Sequence, residues 1–186
     1  MSVSGPDWVA KFPPSTKVED LVEPFRANVQ RFLAALKAAG ASVEIADTLR
    51  RPERGFLMHY SFRIARSGDD PAQIPPMAGL DIQWLHKTLT GAPDPANSKA
   101  AAEQMVVGYD IAFEPSLTSR HFVGKAIDMS IRWLNTLVIQ TAAGVTTAIT
   151  SSPKDGAVNP DLHKVGLSYG VIKLVSDRPH WSVDGH

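Results

Sequence analysis

Thr118-Ser-Arg-His-Phe-Val-Gly-Lys-Ala-Ile-Asp-Met-Ser-Ile-Arg-Trp133 is the stretch from which the rest of the chain can be read. Its second half alternates. Ile127, Met129, Ile131 and Trp133 are apolar, and Asp128, Ser130 and Arg132 between them are polar. A period of two is that of a half-buried β-strand, so the spacing predicts a strand at 126–133 with one face in a core. Asp128 then lies on the opposite face, toward a cleft or solvent. His121 stands seven residues upstream of it. Gly124, between the two, lets the backbone turn so that the imidazole returns beside the carboxylate. A neutral imidazole and a carboxylate converging on one point suit a zinc ion.

A third ligand is available near the end of the chain. Asp177-Arg-Pro-His-Trp181 follows an apolar run, Val171-Ile-Lys-Leu-Val175, that reads as another strand. His180 completes a His/Asp/His set. Three protein ligands with one position left open are the arrangement of a catalytic zinc rather than a structural one. Asp177, three residues before His180, is placed to act as general base for the attacking water. Each residue also has a plainer reading: His121 alone as a surface histidine, Asp128 as a solvated strand residue. The combination with Gly124, Asp177 and His180 is what argues for a metal.

These segments carry a resemblance. Ser119-Arg-His-Phe-Val-Gly-Lys-Ala-Ile-Asp128 matches S-x-H-x-x-G-x-A-x-D. That pattern is similar to the signature of the zinc peptidases that cut bacterial cell-wall peptides: D-alanyl-D-alanine carboxypeptidases and dipeptidases, and L-alanyl-D-glutamate endopeptidases, phage endolysins among them. Asp177-Arg-Pro-His-Trp181 looks like the family's second motif, an acidic residue followed after two positions by His-Trp. The resemblance implies metal ligation by His121, Asp128 and His180, one zinc per chain, and an acid/base role for Asp177, where many members carry Glu. Thr48-Leu-Arg-Arg-Pro-Glu-Arg54 more weakly resembles the family's Tyr-Arg-Ser-x-x-x-Gln segment, with Leu49, Arg51 and Arg54 departing from it. It implies a substrate-polarising arginine at Arg50, with Arg51 as the competing assignment. Ser119, Trp181 and His86 are the remaining candidate contacts to substrate, although tryptophans such as Trp84, Trp133 and Trp181 more commonly serve a core.

The implied activity is hydrolysis of an amide bond in peptidoglycan stem peptides. Whether as endopeptidase or D,D-carboxypeptidase depends on whether the site must hold a free terminal carboxylate, which the sequence leaves open. A zinc-binding wall-recognition module or pseudoenzyme is the alternative from another class; Asp177 argues against it, because binding alone does not need that carboxylate. An α+β domain without metal is the third reading.

The whole-chain properties agree with an enzyme of this kind. The 186 residues are 44% hydrophobic and 20% charged, ordinary values for one globular domain. Nineteen basic residues balance nineteen acidic ones, which gives no support for a nucleic-acid partner. No cysteine is present, so disulfides and thiolate-ligated zinc are excluded. No stretch has the apolar length of a membrane span, so no membrane insertion is expected. Met1–Phe12 lacks a basic start followed by an apolar run and does not read as a secretory signal. A cell-wall or periplasmic protein is then expected to reach its target by lysis, a dedicated secretion machine or a phage particle, and to act as a monomer.

Along the chain, residues 1–17 read as a loose Pro/Ser-rich arm, with Trp8 and Phe12 able to pin it, and 18–186 as the catalytic domain. Helical spacing covers Glu19–Ala39, with Pro24 in the first turn and Gly40 as terminator. Ser42–Ala46 is a short strand, and Pro52–Ala65 a second helix. Residues 67–77 form a loop, and 79–89 lean toward a short helix. A helix capped by Asn97 or Ser98 runs to Val107. Leu137–Gln140 and Val145–Ile149 form a hairpin, and Pro160–Tyr169 a last helix ended by Gly170. Helices mainly first and strands mainly last predict an α+β fold, helices packed on a small antiparallel sheet that carries the zinc cleft.

Overall fold

In the computed structural model, which describes residues 2–186, every α-helix starts at a proline. Pro24 immediately precedes its helix, and Pro52, Pro95 and Pro160 occupy the first turns of theirs, where no intrahelical partner needs the missing N–H. In chain order the elements are β1 (Ser2–Val3), α1 (Phe25–Ala38), β2 (Ser42–Asp47), α2 (Pro52–Phe62, extended by a π-helical turn at Arg63–Ser67) and β3 (Ile82–Gln83). There follow α3 (Pro95–Gly108), β4 (Ala126–Arg132), β5 (Leu137–Gln140), β6 (Thr146–Ile149), α4 (Pro160–Ser168), β7 (Ile172–Lys173) and β8 (His180–Ser182). Helices with small, mainly antiparallel sheets agree with the α+β expectation. No helix among the described residues is long and apolar enough to cross a membrane.

The chain divides into two compact units rather than an arm and one domain. The first joins the N-terminal residues up to Pro13 with Arg51–Thr118. Its core gathers Trp8, Leu57, Trp84, Met105 and Tyr109. Residues 2–13 are therefore not loose. Ser2–Val3 pairs in parallel with β3, the Tyr109 hydroxyl donates to the Trp8 carbonyl at 3.1 Å, and Arg54 donates to the carbonyls of Val9 and Phe12. Burying an indole removes so much apolar area from water that the segment packs as core. The helix leaned toward at 79–89 is the short strand β3 instead; its partner lies some eighty residues away and leaves no local periodic trace. Helix α3 is capped by Asp94, whose side chain accepts from the Asn97 N–H, about one turn earlier than Asn97 or Ser98.

The second unit comprises Pro14–Arg50 and Ser119–His186. Its four-stranded sheet runs in the order β2-β4-β8-β7, every pair antiparallel. The predicted alternation of β4 holds: Ile127, Met129 and Ile131 are at most 1% exposed and pack with Leu21, Phe25, Phe32 and Leu36. Each such side chain contributes about 1.5–3 kcal/mol on burial. Trp181 lies in the same core, its ring centre 5.7 Å from that of Phe32 and tilted 53° to it. Gly166 of α4 makes room for it; a Cβ there would stand 2.6 Å from the indole and 2.8 Å from the Val171 carbonyl.

The polar face of the sheet has its own register. Asp128 on β4 pairs with His180 on β8 and with Asp47 on β2. A β-bulge makes the second pairing. Ile45 pairs with Met129, but the register then shifts, so that Asp47 rather than Ala46 stands opposite Asp128. Without the extra residue, Asp47 would face the core.

Candidate metal centre

All three predicted ligands come together in the second unit. His121 sits in a 3₁₀ turn, Arg120–Val123, whose N-cap is Ser119: its hydroxyl accepts from the His121 N–H at 3.3 Å. Gly124 closes the turn in the left-handed region, φ 64°. A side chain there is excluded twice, because a Cβ would also meet the Asp20 carbonyl at 2.9 Å. The turn folds the imidazole back over β4. His121 Nε2, Asp128 Oδ1 and His180 Nδ1 then form a nearly equilateral triangle with sides of 3.1, 3.1 and 3.2 Å. His121 and His180 are buried, 1% and 5% exposed, and the Asp128 side chain keeps a small opening at 13%.

The far nitrogens decide what the triangle is. His121 Nδ1 lies 3.1 Å from the Thr48 carbonyl, and His180 Nε2 lies 3.1 Å from the His186 carbonyl. A carbonyl only accepts, so each of these nitrogens carries the proton, and a neutral ring then turns a lone pair toward Asp128. Two imidazole lone pairs and a carboxylate oxygen converge with no donor among them. Such a buried arrangement suits a cation, and imidazoles anchored through their second nitrogen to carbonyls are the usual support of a bound metal. The spacing fits as well: ligand atoms about 2.0 Å from a tetrahedral zinc stand about 3.3 Å apart. The triad is thus a group that could hold a metal ion, and no fourth His, Asp or Glu joins it among the described residues.

Where a ring carries protons on both nitrogens it donates to Asp128 instead: burial is the largest influence on the Asp128 carboxyl and works against ionisation, but such hydrogen bonds and charges from His121 and His180 outweigh it and hold the group well below the usual carboxylate range.

Arg50 reaches this neighbourhood. Its backbone N–H donates to the His121 carbonyl, its Nε and Nη2 contact Asp47 Oδ2 at 2.8 and 2.6 Å, and Nη2 lies 3.6 Å from Asp128 Oδ2. Arg51, the competing assignment, belongs to the first unit and pairs with Glu53 on the surface.

Asp177 lies exposed in the turn between β7 and β8, with a carboxylate that accepts no hydrogen bond among the described residues. That turn is held by Lys173, 7% exposed, whose ammonium donates to the carbonyls of Leu174, Asp177 and His180 at 2.5, 2.5 and 3.1 Å. Burial pushes the ammonium down to about 8, with Asp177 and Asp128 pulling in the other direction.

The other candidate contacts fare differently. Ser119 is present as the cap that holds His121. Trp181 is a correction: fully buried, it has no surface to offer a substrate, because β8 turns its indole to the core face while the adjacent His180 takes the polar face. His86 belongs to the first unit, where its Nε2 is engaged by the Ser4 hydroxyl at 3.0 Å. His186 supplies the carbonyl behind His180 and donates its N–H to Ser182 Oγ.

The sequence alone assigns no role to Asp47, Thr48 or Lys173. Asp47 needed the bulge to be found, and Thr48 acts through its carbonyl, which no side chain announces. Lys173 left a signal, a single charge inside the apolar run Val171–Val175. No protein-family model matches the chain, and no curated protein matches it.

Proposed function

We propose that the second unit is a zinc peptidase centre that hydrolyses an amide bond in peptidoglycan stem peptides. The observation that carries the metal part is the triangle of His121, Asp128 and His180, three acceptors without a donor. What supports the substrate is the resemblance of Ser119–Asp128 and Asp177–Trp181 to the cell-wall peptidase motifs. His121, Asp128 and His180 would hold the ion, which when bound supplies a Lewis acid that makes water nucleophilic near neutral pH.

The chain's own groups do the rest. Asp177, exposed and with a carboxylate that accepts no hydrogen bond among the described residues, takes the proton from the attacking water and returns it to the leaving amine. Arg50, oriented by Asp47, faces the carbonyl oxygen as it becomes anionic. A centre of this kind would act at the cell wall or in the periplasm, with the protein working as a monomer.

The test pairs elemental analysis of purified protein with mass spectrometry of digested peptidoglycan. About one zinc per chain and new peptide termini are expected. Asp177→Asn should retain the zinc and lose roughly a hundredfold in rate. Zinc without new termini would make this a wall-recognition module, and absence of zinc would remove the metal reading altogether.

A further inference from the structure

Asp47 is a buried carboxylate that a bulge has turned onto the metal face. One of its oxygens, Oδ2, takes both contacts from Arg50. The other, Oδ1, has no hydrogen-bond partner among the described residues and lies 3.8 Å from His121 Nδ1. Buried polar atoms in a purely structural role are normally satisfied, so this oxygen calls for another role.

We propose that Asp47 is a positioning residue for the metal centre: it holds the Arg50 guanidinium away from Asp128 and so leaves the Asp128 carboxylate free for a divalent cation. The inference rests on the reading that the triad binds such an ion. Arg50 Nη2 is 2.6 Å from Asp47 Oδ2 but 3.6 Å from Asp128 Oδ2. The nearer carboxylate wins the guanidinium. Asp47, Arg50 and Asp128 together carry one net negative charge toward the metal. Were Asp47 neutral, Arg50 and Asp128 would form a neutral pair, and the guanidinium would close onto the ligand and compete with the ion for it. Asp47 Oδ1 adds a second effect of the same sign, since a negative charge beside His121 Nδ1 favours the proton there and the lone pair on Nε2.

Zinc affinity, measured by competition with a chromophoric chelator, tests this without reference to hydrolysis. Asp47→Asn should weaken zinc about tenfold when Arg50 is present, as changes behind a ligand do. On an Arg50→Met background the same substitution should cost clearly less, because the competing cation is gone. Equal losses on the two backgrounds, or no loss on either, would overturn the proposal. Melting of each metal-free variant shows that it is folded. If Asp47→Asn does not fold, Arg50→Lys carries the test. Lysine keeps the charge but lacks the fork by which Asp47 holds it, so zinc should weaken; unchanged affinity would overturn the proposal. A wild-type protein that binds no zinc would sink this inference and the metal reading together. Zinc binding without peptide cleavage would leave the inference standing and sink only the hydrolytic reading.

Discussion

Two buried polar clusters meet at His180, and they are built in opposite ways. On the backbone side, three carbonyls, His180 among them, converge on the ammonium of Lys173. On the side-chain side, two imidazole lone pairs and a carboxylate converge with no donor among them. Both are concentrations of acceptors removed from water. The chain supplies its own cation to the first and leaves the second to be completed from outside. A group of acceptors that folding brings together without a donor is expensive unless it is used. The comparison therefore turns a list of neighbouring residues into a candidate cation site.

The largest expected effect comes from breaking the second cluster alone. His180→Ala deletes a lone pair but leaves the His180 carbonyl on Lys173. Stoichiometric metal binding should be lost, while metal-free protein melts near the wild-type temperature. Elemental analysis and a melt of the stripped protein measure the two halves. Retained metal would show that the triangle is not the site.

How far this was legible in the sequence differs between the two clusters. The alternation at 126–133 gave both the core face and the outward Asp128, since strand period is a local property. The candidate ligands could be named because imidazole and carboxylate advertise their chemistry in their identity, with the motif resemblance to assemble them. Pro24, Pro52 and Pro160 likewise marked helix starts. What stayed hidden depends on long-range pairing. The register that sets Asp47 opposite Asp128 is created by a bulge; β1 and β3 are two residues each; and the N-terminal segment packs through one tryptophan. Strand β8 leaves no signal of its own, so Trp181 reads from sequence as a candidate for core and substrate alike; neighbours in a strand face opposite ways, and the indole takes the core.

A smaller effect should follow from breaking the first cluster. Lys173→Met fills the same space with an apolar chain and leaves three carbonyls without their shared donor. Folding stability of the metal-free protein, measured in urea at neutral pH, should fall by about 2 kcal/mol. Zinc should weaken too, because the turn that presents His180 and Asp177 loses its tie, but less than in His180→Ala. Unchanged stability would mean that water replaces the ammonium readily, and the contrast between a completed and an incomplete cluster would lose its first half.

The smallest effect is a pH dependence that separates the two clusters by the nature of their cation. A lysine in the unfolded chain keeps its proton up to about 10.5, whereas burial brings Lys173 in the folded protein down to about 8. Between those values the unfolded state holds a proton that the folded state has released. Unfolding then takes up a proton, and the Lys173 contribution to stability rises with pH across that window. Other groups titrate there as well, so the quantity to follow is the difference in stability between wild type and Lys173→Met, both stripped of metal. That gap should widen from pH 8 to 10.5 as the cost of burying the charge is relieved. A gap that narrows instead would mean that the three carbonyls hold the ammonium more strongly than burial opposes it. Lys173 would then be a permanent cation, as fixed in its cluster as a bound metal is in the other.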